Sequence, residues 1–477
     1  MIFSIPDGNH GNYDMEKTHI FNKTVLKQYD IRGVVETQLT DVDAYFVGKS
    51  YGTLLKRLNK HTCVVGYDGR HTSLSFTEHA IKGLVECGID VTNIGLVPTP
   101  MVYFAVWYYK FQAGLIVSAS HNPKEYNGFK MLTDDEPIYE DSIQELGRIA
   151  ASGGFVSGQG KTAEKNIEDD YIAYILSKLN KNNKKVLNIV WDAGNGATAE
   201  VMKKIVSKIP GKHITICDTI DGDFPIHHPD PSVEKYMSMI KEEVVRGGYD
   251  LGFAFDGDGD RVAVVDNEGY LFFGDQMQVI YARDFLKNNP GEKIMNEVSA
   301  SLVLYDDIKK NGGVPVIWKP GHSSQKAKMK SDNIKLAAET SCHIYFAENH
   351  NYDDCFFASI KMINILANAD ETLAEMRHKF PKTYITKKYY VDVVNDEDKF
   401  RIPNEIVARI KAEGRDVVDI EGARVNKADG WWLIRNSNTG PQMAIRCEAL
   451  SEVGLDECKA EVIEQLRLSG YSFKFDD

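Results

Sequence analysis

The segment GLIVSASHNPKEYNGFKML, residues 114–132, decides the fold class. Leu115, Ile116 and Val117 form an apolar run suited to a strand covered on both faces, and Asn122-Pro123 forces an extended turn that ends it. Strands of this kind belong to open α/β sheets, whose ligands bind in the crevice beyond the carboxyl ends of the strands. Ser120 therefore stands at a crevice edge, where an exposed hydroxyl is a candidate nucleophile; an ordinary polar loop is the competing reading.

Outward from this segment the same grammar repeats. The strand-like runs CVVGYD (63–68), LNIVWD (187–192) and ITICD (214–218) alternate with helical stretches such as SFTEHAIKGLVECG (75–88) and ATAEVMKKIVSKI (197–209), which implies βα units. A chain of 477 residues suits roughly three or four domains. Boundaries are expected beyond the Gly/Ser-rich ASGGFVSGQGK (151–161), after the turn at Asn267–Gly269, and near HKFPKTYITKK (378–388). These give expected domains at 1–165, 166–268, 269–383 and 384–477.

Composition narrows the function. A net charge of −13, from 69 acidic against 56 basic side chains, argues against nonspecific nucleic-acid binding. The seven cysteines (63, 87, 217, 342, 355, 447 and 458) are scattered without a Cys-x-x-Cys pair, as expected of reduced thiols in a cytoplasmic protein. The N-terminus lacks a basic region followed by an apolar core, and no run reaches ~18 apolar residues, so neither secretion nor membrane insertion is expected.

Four further stretches carry chemistry. In LGFAFDGDGDRVAVVDNEG (251–269), two apolar strands flank carboxylates at Asp256, Asp258 and Asp260. Alternation with glycine can turn all three toward one point, where hard oxygen ligands select Mg²⁺ or a similar ion; a solvated acidic hairpin is the alternative. An EF-hand is excluded, because Arg261 replaces the sixth-position glycine and Asn267 the final glutamate. In WWLIRNSNTGPQMAIRCEA (431–449), Arg435, Ser437, Asn438 and Thr439 form a tight loop between strands, either a phosphate cradle or an ordinary turn. AAETSCHIYF (337–346) offers Glu339, Ser341 and His343 at alternate positions, on one face if the segment is extended, where they could bond sugar hydroxyls. Upstream, Gly321-His322 lies in a turn before a basic helix. A rival fingerprint, LNIVWDAGNGATAE (187–200), fits the G-x-G-x-x-A of a dinucleotide-binding dehydrogenase, but Asp192 before its first glycine would repel a pyrophosphate.

With these motifs in order, from KQYDIRGVVETQLT (27–40) to RNSNTGPQMAIRCEA (435–449), the chain resembles the α-D-phosphohexomutase family, and most closely its bacterial phosphomannomutase/phosphoglucomutase branch. The resemblance implies three related mixed α/β domains plus a smaller C-terminal α+β domain around a central cleft. It implies that Ser120 is a phosphoserine and, with Asp256, Asp258 and Asp260, binds Mg²⁺. Arg32, His121, Lys130 and Arg261 would surround the transferred phosphoryl group. Tyr29, Gly321, His322, Glu339, Ser341 and His343 would bind the sugar, and Arg435, Ser437, Asn438 and Thr439 its phosphate. The implied activity exchanges hexose 1-phosphate and hexose 6-phosphate through a hexose 1,6-bisphosphate, which also serves as activator. A small-molecule sugar phosphate is the expected partner, with no nucleic acid and no membrane, and a monomer is expected with a dimer as the alternative.

Two residues depart from the family pattern: Ser299 stands where a lysine is common, and Cys342 where Glu-x-Ser-Gly-His would place glycine. Phosphoglucosamine mutase is the nearest competitor within the family, although such enzymes carry Ser-Gly-Thr where this chain has Ser437-Asn438-Thr439. A dinucleotide-binding oxidoreductase and a non-catalytic metal-binding protein are the readings from other classes.

Overall fold

The computed structural model describes residues 17–134, 136–436 and 442–476. Four sheets follow one another along the chain, three mixed and one antiparallel. The first is built on the parallel strands Thr62–Tyr67, Asp90–Leu96 and Ala113–Val117, the second on Ile189–Asp192, His213–Ile216 and Leu251–Phe255, and the third on Lys293–Glu297, Val314–Trp318 and Leu336–Ala338. Val and Ile are the commonest residues of these strands, and Ala113–Val117 and Leu251–Phe255 are buried at every position, as strands covered by helices on both faces must be.

One hairpin recurs in all three sheets. A strand running parallel to its neighbour turns back into an antiparallel partner: Ala113–Val117 into Tyr126–Thr133, Leu251–Phe255 into Val262–Asp266, and Leu336–Ala338 into Ile344–Phe346. The intervening loops hold Ser120, the three aspartates, and Glu339 to His343 respectively. Three equivalent hairpins thus place three different chemistries at equivalent sheet edges.

The helix Thr99–Tyr109 fixes how these units meet. Every residue from Thr99 to Val106 is buried, so the first two turns of the helix have no solvent face and are sandwiched between layers. Tyr103 stacks on Tyr352 with centroids 4.7 Å apart, and Phe104 packs edge-on against Tyr171, joining the first sheet's helix to residues of the second and third units. The fourth sheet, with central strands Gly422–Asn426, Gly430–Asn436 and Gln442–Ala449, packs against helices Asp398–Ala412 and Glu452–Leu468 around Ile402, Ile406, Trp432, Ile445 and Val462. Buried Arg424 tethers it to the third unit through the carbonyls of Val298 (2.6 Å) and Ala300 (2.8 Å). No helix is long and apolar enough to cross a membrane among the described residues, and all seven cysteines are buried free thiols.

Candidate active site

Ser120 follows its strand in the left-handed region, at φ 52°, a conformation that costs a non-glycine residue on the order of 1–3 kcal/mol and persists only where its surroundings enforce it. The enforcement is visible. Ser118 Oγ accepts from the Ser120 amide at 2.8 Å, and buried Arg70 donates to the carbonyls of Ser120 (2.8 Å), Asn122 (2.6 Å), Pro123 (2.7 Å) and Tyr126 (3.0 Å). Asp68, 3.2 Å from Arg70 Nε, balances that guanidinium. Sequence reasoning passed over Arg70, whose only signal is its place in Asp68-Gly69-Arg70 at the end of the strand before.

The serine is not exposed as the strand-edge argument expects: it is only 2% accessible, because the aspartate loop closes over it. Its Oγ donates to Asp256 Oδ2 at 2.6 Å and lies 3.1 Å from His121 Nδ1. The glycines of the loop permit this approach. A Cβ on Gly257 would stand 2.5 Å from the Ser120 carbonyl oxygen, and Gly259 takes φ 77°.

Asp256, Asp258 and Asp260 are all buried, with ligand-capable atoms within 4.8 Å of one another. Lys130 Nζ sits on Asp258 Oδ2 at 2.6 Å and Asp260 Oδ2 at 2.5 Å, and Thr99 Oγ1 donates to Asp258 Oδ2 at 2.6 Å. The other oxygens of Asp258 and Asp260, both Oδ1, are buried with no hydrogen-bond partner among the described residues. Unsatisfied carboxylate oxygens converging in a buried pocket fit a hard divalent cation. Burial, then repulsion from Asp260 and Asp258, pushes the Asp256 carboxyl well above its usual range. Burial also opposes the charge of Asp260, but the ammonium of Lys130 outweighs it and holds that carboxylate below its usual range. Lys130 suffers the same desolvation, yet its two aspartates keep it firmly an ammonium. His121 is the reverse: burial, then Arg261 and Arg32, depress it far below the usual imidazole value, so it is neutral. Arg32 lies at the same edge, donating to Asn122 Oδ1 (2.5 Å) and the Ala119 carbonyl (3.1 Å) and pairing with Asp30.

The third hairpin differs from the extended reading. Glu339 to His343 is a closed turn, with the Cys342 amide bonded to the Glu339 carbonyl (3.1 Å) and the Glu339 amide to the His343 carbonyl (2.9 Å), so its polar side chains do not share one strand face. Five residues between two three-residue antiparallel strands leave no room for an extended run. Glu339 is fixed by two donors, the Gly321 amide at 2.7 Å and the Tyr345 hydroxyl at 2.5 Å. Gly321 caps the helix His322–Asp332 at φ 107°, and the Tyr29 ring lies where its Cβ would be, 2.4 Å from that position. His343 uses both ring nitrogens: Nε2 accepts from Arg261 Nε at 3.0 Å, which leaves the proton on Nδ1, 2.8 Å from Asp353 Oδ2. Lys326 completes this network with Asp353 at 2.6 Å, and neither was anticipated from sequence. Ser341 is half-buried on the same turn.

Arg435, at the end of its strand, is mostly buried and donates to the Asn436 carbonyl at 3.0 Å, with Glu421 3.8 Å away. Ser437, Asn438 and Thr439 lie outside the described residues.

Comparison with known proteins decides what this constellation belongs to. Residues 23–156, 169–269 and 273–384 match the phosphoglucomutase/phosphomannomutase alpha/beta/alpha domains I, II and III, and residues 391–465 match the C-terminal domain. This chain belongs to the phosphoglucomutase/phosphomannomutase family. It is 34% identical over 437 residues to a phosphomannomutase/phosphoglucomutase of Pseudomonas putida, covering 91% of this chain and 94% of the relative. It is 33% identical over 438 residues to a phosphoglucomutase of Neisseria gonorrhoeae, covering 91% and 95%. A phosphoglucomutase/phosphomannomutase family protein from Burkholderia thailandensis superposes with a TM-score of 0.89 at 30% identity, covering 95% and 99%. The chain is thus a phosphohexomutase, an isomerase of sugar-phosphate metabolism. Family structures bind magnesium and glucose 1,6-bisphosphate, as in two Aspergillus fumigatus N-acetylphosphoglucosamine mutase complexes whose 13% identity to this chain shows the shared fold alone.

The two departures from the family pattern are accommodated in this mutase. Cys342 adopts φ 74°, so the turn keeps the backbone a glycine would give, with the thiol fully buried. Ser299 is buried beside Glu297, and its carbonyl accepts from Arg446 Nη1 at 3.4 Å. Glu297 is charged despite burial because Arg435, the Thr340 hydroxyl and Lys388 favour its anion, so positive charge reaches this corner from the C-terminal domain. The dehydrogenase fingerprint is a closed turn: Asp192 Oδ1 takes the Gly194 amide at 2.9 Å, and a Cβ on Gly196 would meet the Gly257 carbonyl at 2.6 Å. No pyrophosphate fits between them.

Proposed function

We propose that this mutase interconverts the 1- and 6-phosphates of glucose and mannose through a phosphoserine at Ser120 and a hexose 1,6-bisphosphate. The observation that carries the reading is the Ser120 hydroxyl, 2.6 Å from Asp256 and 3.1 Å from His121. Relatives named for both sugars, and for glucose alone, support the substrate class.

Phosphorylated Ser120 transfers its phosphoryl group to the free hydroxyl of a bound hexose monophosphate; the P–Oγ bond breaks as the P–O bond to the sugar forms. The bisphosphate turns over in the cleft, and Ser120 Oγ reclaims the other phosphoryl group. Neutral His121 can hold the proton that leaves the attacking hydroxyl and return it to Oγ. Lys130, Arg32 and Arg261 are fixed cations for the charge on the transferring oxygens. Asp256, Asp258 and Asp260, with the Ser120 oxygen, would hold Mg²⁺, which when bound neutralises phosphoryl charge. Tyr29, Gly321, His322, Glu339 and Ser341 orient the sugar, with His343 steadying Arg261. Arg435, with Ser437, Asn438 and Thr439, holds the distant phosphate in either orientation. The four domains at 1–165, 166–268, 269–383 and 384–477 each contribute one of these elements, and we place the enzyme in the cytoplasm as a monomer.

Intact-mass measurement tests the reading: the purified protein carries a phosphate adduct that Ser120→Ala loses together with turnover. Near-wild-type mutase activity in Ser120→Ala overturns it.

A further inference from the structure

A second group of ligand-type side chains lies outside the cleft. Asp192 ends the strand Ile189–Asp192, Cys217 directly follows His213–Ile216, and His227 stands on the loop beyond, their donor atoms all within 4.8 Å of one another. Asp192 and Cys217 are buried and His227 is half-buried. Tetrahedral zinc, with bonds of about 2.0–2.3 Å, needs donors roughly 3.3–3.8 Å apart, so only small shifts separate this cluster from such a site.

The hydrogen bonding of the histidine sharpens the point. Nδ1 is 3.0 Å from the His228 carbonyl, which can only accept, so Nδ1 bears a hydrogen. Nε2 is 3.0 Å from Asp192 Oδ2, also an acceptor. One ring facing two acceptors requires either a second proton or a cation between Nε2 and the carboxylate. The other oxygen of Asp192 is already pinned by the Gly194 amide, and Cys217 holds φ 49°, unusual for a non-glycine residue, beside this pair. Exposed Met239, its sulfur 3.9 Å from the thiol, marks the opening toward solvent.

We propose that Asp192, Cys217 and His227 form a binding site for Zn²⁺, separate from the aspartate loop. Carboxylate, imidazole and thiolate together suit a borderline-soft ion, whereas Mg²⁺ prefers the all-oxygen set at Asp256, Asp258 and Asp260. Zinc binds the sulfur as thiolate, the thiol proton leaving to solvent, and water completes the fourth position. Occupancy would stiffen the wall behind Ser120. Pro229, two residues beyond His227, packs on Gly194 and against Gly257, while Ile220 and Phe224 pack on Gly69 and Arg70.

The test uses the whole protein with excess Mg²⁺ present, so that the aspartate loop is filled, and Co²⁺ as a spectroscopic stand-in for Zn²⁺. One equivalent of Co²⁺ should give a thiolate-to-cobalt charge-transfer band in the near ultraviolet, bleached by Zn²⁺. Cys217→Ser should abolish the band, and His227→Gln should weaken affinity by about a hundredfold or more, beyond what loss of an outer-shell partner causes. Independently of either variant's folding, Zn²⁺ should protect Cys217 of the wild type from alkylation, mapped by mass spectrometry. Absence of metal uptake, or uptake without the thiolate band and without protection of Cys217, overturns the proposal and leaves an imidazolium–aspartate pair.

Discussion

The Ser120 hydroxyl donates to Asp256 Oδ2 at 2.6 Å, across the junction of the first and second sheets. Hydroxyl and carboxylate cluster are therefore one unit, and Lys130 pairs with two of its three buried aspartates. Removing the cation should leave the fold intact and stop the chemistry. EDTA treatment should abolish turnover and Mg²⁺ restore it, while the thermal midpoint rises with Mg²⁺ concentration as expected for a ligand of the native state alone. Full activity in metal-free protein would contradict the arrangement.

Arg70 offers a test of positioning. Its guanidinium binds four loop carbonyls and Asp68 but has no contact with Ser120 Oγ. Arg70→Ala leaves Asp68 and those carbonyls without their partner and should destabilise the protein by about 3 kcal/mol or more. Arg70→Lys keeps the charge but cannot fork to four acceptors, so kcat should fall with KM nearly unchanged. A changed KM with unaltered kcat would place Arg70 in substrate binding instead.

Cys342 at φ 74° yields a contrast between two substitutions. Cys342→Gly relieves about 1–3 kcal/mol of backbone strain and loses roughly 1 kcal/mol of buried side chain, so its stability should stay close to wild type. Cys342→Val puts a β-branched side chain in the left-handed region and should cost at least ~2 kcal/mol. Urea unfolding of the pair checks this; equal stability would mean that the turn relaxes freely.

The strands were legible because Leu115–Val117 and Leu251–Phe255 are unbroken apolar runs that end in polar residues, a local signal. Asp256, Asp258 and Asp260 were legible for the same reason: their spacing is local and their chemistry narrow. Three features were not. Arg70 acts through a loop about 50 positions away, and Lys326, His343 and Asp353 meet from separate elements of the third unit, so an isolated charged residue does not reveal its partner in the sequence. The burial of Ser120 depends on an approach between loops 136 residues apart. The turn at Glu339–His343 was misread as extended because alternation of polar residues mimics a strand when the flanking strands are only three residues long.

A pH dependence follows from two histidines. Burial, then Arg261 and Arg32, depress His121, and burial, then Lys326 and Lys130, depress His322. Below about pH 6.5 the unfolded chain takes up protons at both positions and the native state does not, so stability falls as pH drops, by up to about 1.4 kcal/mol per pH unit for each histidine. His121→Gln should flatten the acid limb of the stability curve by up to one proton's slope, measured by urea unfolding between about pH 5 and 7. An unchanged slope would mean that His121 protonates freely in the folded protein.

The proposed sugar selectivity turns on Glu339. Its two oxygens are fixed by the Gly321 amide at 2.7 Å and the Tyr345 hydroxyl at 2.5 Å, so the carboxylate cannot swing to follow a displaced hydroxyl. We propose that Glu339 and Ser341 read the hydroxyls at C3 and C4, which glucose and mannose carry in the same configuration; these two sugars differ only at C2. Both 1-phosphates should turn over with kcat/KM within roughly a hundredfold of each other, because an unread difference costs only ~1–3 kcal/mol. Galactose 1-phosphate inverts C4 and would leave a sugar hydroxyl without its carboxylate acceptor in a buried site, so it should be disfavoured by about a thousandfold or more. Parallel assays of the three sugar phosphates, each primed with hexose 1,6-bisphosphate, decide between outcomes. Galactose 1-phosphate matching glucose 1-phosphate defeats the C3/C4 reading, and turnover of only one of glucose or mannose defeats dual specificity. Glu339→Gln sharpens the comparison: it keeps the size of the side chain but weakens acceptance from sugar hydroxyls, so it should lower kcat/KM for both accepted sugars by similar factors and narrow their lead over galactose.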